Sequence, residues 1–121
     1  MVLTDELIEA TAIATAGAAG GKNLGSRIQT SRIREVYWIK IINRHTATNT
    51  IRIQERATGG SPRLKDLWTM PTGDYLSHPD ELKENSLPIY VIRTDTASVK
   101  YMRATCDNGG AFIRILYRDL P

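Results

Sequence analysis

Apolar and polar positions alternate with a period of two through most of the chain after residue 31. The segment RIREVYWIKIIN (32–43) is rich in β-branched and aromatic residues, and the pattern returns at 50–55 after the polar run RHTATN. These two segments are expected to pair as a hairpin. Further strands are expected at 64–70, 88–93, 99–106 and 111–117, separated by the turn signals Gly59-Gly60-Ser61-Pro62, Pro71-Thr72-Gly73-Asp74, Asp95-Thr96 and Asp107-Asn108-Gly109-Gly110. Short strands at this spacing, without interleaved helices, predict a mainly β fold: a single antiparallel β-sandwich or jelly-roll-like barrel. The polar segment 77–86 is expected to be a surface loop, with a helical turn starting at His78-Pro79.

Before residue 31 the pattern is different. TDELIEATAIATA (4–16) reads as a short helix, with Thr4 as N-cap, Asp5 and Glu6 at the positive end of the dipole, and Leu3 and Ile8 placed as a hydrophobic staple. Leu7, Ile8 and Ile13 make only a narrow apolar face, so such a helix is marginal alone. The glycine-rich run that follows reads as a hinge. The expected organisation is an N-terminal helical or extended arm (1–30) followed by a sandwich domain (31–121).

The strand faces carry more information than the strands themselves. In 32–43, alternation sends Ile33, Tyr37, Ile39 and Ile41 one way and Val36, Trp38 and Ile42 the other, with Arg34 and Lys40 interspersed; in the last strand Ile113, Ile115 and Tyr117 oppose Phe112 and Leu116. A half-solvated sheet should not carry Val, Trp, Ile, Phe and Leu on its outer side. Either the N-terminal helix or a second subunit is expected to cover it. The expected interface residues are accordingly Leu3, Leu7, Ile8, Ile13, Val36, Trp38, Ile42, Phe112 and Leu116.

Composition narrows the classes. The 121 residues suit one domain, and 41% hydrophobic with 24% charged residues is ordinary for a globular chain. No apolar run is long enough for a membrane helix, and Asp5, Glu6 and Glu9 interrupt any secretory-type stretch, so cytoplasmic synthesis and no membrane partner are expected. The net charge is +3, unevenly spread: residues 1–21 hold acids and no base, whereas 22–56 hold eight bases against Glu35 and Glu55. Arg32, Arg34, Lys40, Arg52 and Arg56, with Tyr37 and Trp38, have the ingredients of a single-stranded nucleic-acid surface, which makes a small nucleic-acid-binding β-barrel the alternative reading. Against it, alternation places Tyr37 and Trp38 on opposite faces.

Catalytic chemistry finds no footing. ATAGAAGGKN imitates a phosphate loop, with Ala16 and Gly21-Lys22 at the right spacing, but Asn23 stands where a magnesium-ligating hydroxyl is needed, and no helical face follows. His45 falls in a turn. His78, Asp80 and Glu81 lie too close together for a metal site without a distant ligand. Cys106, the single cysteine, is expected to be a buried, inert thiol. Carboxylates such as Asp66 and Asp74 can be paired on paper, as in any β protein. The expectation is a non-enzyme without catalytic residues, cofactor or metal.

A small-residue arm, the strand IREVYWIKIIN, the turn RHTATN, the strand TIRIQE, a Pro-Thr-Gly connection and a closing AFIRILYRD together resemble small virion proteins. The chain is similar, over residues 31–118, to the β-sandwich decoration or head-stabilising proteins of tailed bacteriophages and related viruses. The resemblance implies a non-enzymatic structural protein of the virion, commonly a trimer, that docks on a capsid lattice. An acidic arm on a glycine-rich tether and an apolar sheet face are compatible with that role, and residues 1–30 are expected to dock on a neighbouring subunit or the lattice while the sandwich supplies the rigid body.

Overall fold

A computed structural model of the chain describes residues 8–14, 22–58, 60–80, 87–107 and 110–121, the first of these segments for its backbone alone. Nine strands are formed among the described residues: β1 (Ile8–Ala14), β2 (Lys22–Asn23), β3 (Ile33–Asn43), β4 (Asn49–Ala57), β5 (Arg63–Met70), β6 (Tyr75–His78), β7 (Tyr90–Arg93), β8 (Lys100–Cys106) and β9 (Ala111–Leu120). The first sheet runs β1-β9-β3-β6, with β7 beside β6 on the same edge of β3; the second runs β2-β8-β4-β5. Every strand pair is antiparallel. The fold is an all-β sandwich of two antiparallel sheets among the described residues.

Its core lies between the sheets. Ile39, Ile41, Ile113 and Ile115 from the first sheet meet Ile51, Ile53, Met102 and Ala104 from the second, all almost wholly buried. Strand β9 alternates as its sequence predicts, Ile113, Ile115 and Tyr117 inward and Phe112, Leu116 and the arginines outward. Strand β3 departs from prediction. A bulge between Val36 and Trp38 inserts Tyr37 into the ladder, so residues before it change face relative to those after it. Val36, expected on the outer side, is in the core with Ile39 and Ile41. Tyr37, expected inward, is buried outside the core cluster, where its hydroxyl donates to Glu35 Oε1 (2.8 Å) and the Arg118 guanidinium lies 5.6 Å from its ring centre. Tyr37 and Trp38 therefore do not oppose each other.

The expected β3–β4 hairpin does not form. Each strand pairs within a different sheet, and RHTATN carries the chain across the sandwich. Asn43 holds this corner: its Nδ2 lies within 3.1 Å of the carbonyls of Ala47, Met70 and Pro71, and its Oδ1 accepts from the His45 backbone N–H. The connection between β5 and β6, containing Pro71 and Gly73, crosses at the same end, as does the one between β8 and β9. Among the consecutive strands, β4 and β5 make a true hairpin. At the start of the polar segment expected as a loop, Ser77 and His78 belong to β6 and a cis peptide joins His78 to Pro79; residues 81–86, into which the expected helical turn would run, lie outside the described residues.

The N-terminal expectation also changes. Within the helix expected at 4–16, Ile8–Ala14 is a strand paired along β9, and the remainder lies outside the described residues. Glycine-free but alanine-rich, this segment was too short and too narrow-faced to hold a helix alone, whereas β9 offers it a full row of backbone partners. The lead-in 22–30, expected within the arm, is built into the sandwich instead. Leu24 and Ile28 are fully buried in the core, and Ile28 exchanges backbone hydrogen bonds with Lys100.

Arg34 fixes this lead-in to the last strand. Its side chain is fully buried, its Nε and Nη2 donate to the two Asp119 carboxylate oxygens at 2.7 and 2.8 Å, and its Nη1 donates to the Leu24 carbonyl. The guanidinium also stacks 4.0 Å from the Tyr117 ring centre. Gly25 passes the same ring with φ +79°; a Cβ there would sit 2.9 Å from Tyr117 atoms. Backbone conformation and close approach both require glycine at this point.

Candidate functional site

With the core between the sheets, two outer faces remain, and they differ in chemistry. On the first sheet, pairing registers build rows across the strands. Phe112 stands opposite Ile42, which stands opposite Tyr75; Leu116 stands opposite Trp38; Arg114 stands opposite Lys40. Strand β1 extends one of these rows by register, with Ile13 paired to the outward Phe112, whereas Ile8 pairs with the inward Tyr117. Trp38 is held by a hydrogen bond from its Nε1 to Ser77 Oγ (2.9 Å). Tyr75 is 69% exposed.

Three arginines lie over three rings on this side of the molecule: Arg114 over Trp38 (5.8 Å), Arg44 over Phe112 (4.8 Å) and Arg118 over Tyr37 (5.6 Å). Cation–π attraction of this kind lets a guanidinium cover apolar surface without losing its charge. The Glu35 carboxylate accepts from Arg118 Nε (2.9 Å) and from Tyr37. Burial first, and the bond to Glu35 second, raise the Tyr37 pKa above its ordinary value. The phenol therefore stays protonated as a donor at neutral pH.

Of the expected interface residues, Trp38, Ile42, Phe112 and Leu116 come together on this face. Val36 is the exception, turned into the core by the bulge. Ile8 and Ile13 lie on β1, beside this sheet's β9. Leu3 and Leu7 fall outside the described residues. Tyr75 was missed, because a four-residue strand inside a polar stretch leaves no periodic signal.

The second sheet presents polar and basic residues outward. Thr105 stands opposite Arg52, which stands opposite Leu67; Asn23, Arg103, Gln54 and Leu64 form the next row; Tyr101 stands opposite Arg56. A groove of about 460 Å³ is lined by residues including Arg52, Gln54, Arg56 and Arg103, and a neighbouring one of about 430 Å³ adds Lys22 and Tyr101 while sharing Arg56 and Arg103. Arg52 donates to Asp107 (2.7 Å), and Arg56 Nε to the Gly60 carbonyl (3.0 Å). Lys65 and Lys100 are turned instead toward the buried Glu55 carboxylate, at 3.1 and 3.4 Å. Cys106 is buried beneath the groove, and burial pushes its thiol pKa up, away from the reactive thiolate.

The five expected nucleic-acid contacts do not share one surface. Arg34 is fully buried and spent on Asp119, which removes it from any contact surface. Lys40 lies on the first sheet, and Arg32 lies exposed in the approach to β3. Arg52 and Arg56 alone share a face, where Arg103 and Lys22 join them. Alternation in β8 groups Tyr101, Arg103 and Thr105, but nothing in the sequence says that β8 lies beside β4.

No protein-family model matches the chain, and the search of curated proteins gives no match. Several solved structures are similar in form. One is the Clostridium thermocellum endo-1,4-beta-D-xylanase 10B, its CBM22-1 and GH10 modules complexed with xylohexaose, at 10% identity and a TM-score of 0.46 over 96% of this chain. This chain spans about a quarter of that one, 26% of its length. Another is PirA, at 17% identity and a TM-score of 0.43, with 94% of each chain covered. Among the described residues, no helix is long and apolar enough to cross a membrane.

Proposed function

We propose that this protein is a non-enzymatic structural protein of the virion, a decoration or head-stabilising protein that oligomerises and docks on a capsid-type lattice through the outer face of its first sheet. The observation that carries the reading is the makeup of that face. Phe112, Ile42 and Tyr75 form an apolar row, Trp38 and Leu116 form a second apolar pair beyond the intervening Lys40 and Arg114, and guanidiniums lie on the rings. Aromatic residues and arginine are the side chains enriched where protein surfaces bury one another, and tryptophan, tyrosine and arginine supply most of the residues whose loss weakens such contacts. A face built from them suits a role in contact between subunits.

The virion assignment is supported by the resemblance in strand pattern to decoration proteins. It is tested by fractionating particles from the producing system on a density gradient and quantifying this chain by mass spectrometry. The expected result is co-sedimentation with the shell protein at a fixed stoichiometry. Recovery only in the soluble fraction, with none on particles, contradicts it.

A further inference from the structure

We propose that the groove on the outer face of the second sheet binds single-stranded nucleic acid. It shares no residue with the assembly face and goes beyond that role. Among the described residues, four cations line it, Lys22, Arg52, Arg56 and Arg103, with the Asp107 carboxylate at one end. Arg103 stands opposite Gln54, between Arg52 and Arg56 on the neighbouring strand. Three guanidiniums are thus grouped on one patch, whose positive field attracts an anion.

Spacing selects the kind of anion. Four residues of extended strand separate Arg52 from Arg56, about 13 Å at the usual rise. The cations follow a line along β4 and do not converge on a point, which suits a repeating phosphodiester better than one small anion. Tyr101, directly opposite Arg56 and half-buried at the groove, offers a ring for a base, and the Gln54 amide lies between the arginines. Cations for the backbone beside an aromatic ring for a base are the working parts of single-strand recognition. In a duplex the bases are stacked inside and beyond the reach of Tyr101.

Fluorescence anisotropy with a labelled, mixed-sequence single-stranded DNA oligonucleotide and the full chain tests this. Affinity should fall steeply with salt, with a log–log slope of about −2 for three phosphates engaged. Arg103→Gln and Arg56→Gln should each reduce that slope by about 0.7, while Tyr101→Ala should weaken binding about tenfold and leave the slope unchanged. Arg93→Gln, on an exposed position of β7 away from the groove, should change neither. Unlabelled inorganic polyphosphate of equal charge should compete poorly with the oligonucleotide. No salt-dependent binding, equal competition by polyphosphate, or tighter binding of a duplex of the same length would overturn the proposal. The wild-type salt slope and the competition decide the matter even if a variant fails to fold.

Discussion

Arg34 shows how one side chain can be misread from its neighbours in sequence. In the run SRIREVY it has the look of a surface cation, yet its partner Asp119 stands 85 residues away, and the two meet only because β3 pairs with β9. Asp119 is partly exposed, but removing its charge leaves the fully buried Arg34 guanidinium without its counter-charge. Asp119→Asn should therefore lower unfolding free energy by about 3 kcal/mol, read from urea denaturation, with no change in the denaturant slope. Tyr90 makes a second residue-scale test. Its hydroxyl donates to Asp66 Oδ2 (3.0 Å), and burial together with that bond raises its pKa well above the ordinary value. Below a pH of about 10 the phenol is neutral in both folded and unfolded chains. Above it the unfolded chain alone ionises, so stability falls as pH rises toward the folded value. Tyr90→Phe should flatten this alkaline loss, at the expense of about 1 kcal/mol at neutral pH for the missing hydrogen bond. A variant with the same alkaline slope as the wild type would show that another group is responsible.

At the scale of elements, the six strands after residue 31 that carry long period-two patterns were legible, because burial on one face imposes alternation. Their partners were not. RHTATN has the composition of a hairpin turn, and only the Asn43 corner, with acceptors supplied by Ala47, Met70 and Pro71, turns it into a crossing between sheets. The bulge at Tyr37 was equally hidden: one inserted residue exchanges the faces of Val36 and Tyr37 while leaving the composition of the strand unchanged. Ile8–Ala14 was hidden for a further reason, since a weak helix former and an edge strand compete closely until β9 supplies the partner. Removing residues 1–21 should bare the β9 edge as well as detach β1. The expected outcome is a lower melting temperature and concentration-dependent aggregation, seen by thermal scanning and light scattering. A truncated chain that melts like the full one would show that β1 contributes nothing to the sandwich.

Across the whole molecule, the two sheets use the same alternation for different ends. Their inner faces build one core from Ile, Val, Met and Ala, and their outer faces part company: rings overlaid by guanidiniums on one side, an arginine-lined groove on the other. The apolar outer face was legible as an anomaly of the pattern, and four of its expected residues meet there. The basic groove was not, because its cations come from β2, β4 and β8, whose adjacency belongs to the fold. The two faces are predicted to be separable, so that a change on one leaves the other's binding intact. The central claim is that copies of the chain meet through the outer face of the first sheet. Multi-angle light scattering on the wild type and on Ile42→Glu with Tyr75→Glu tests it most directly. The account predicts a mass that is a multiple of 13.5 kDa for the wild type and a folded 13.5 kDa species for the variant. A wild-type chain that stays at the single-chain mass throughout the micromolar range, or a variant that assembles as the wild type does, would contradict it.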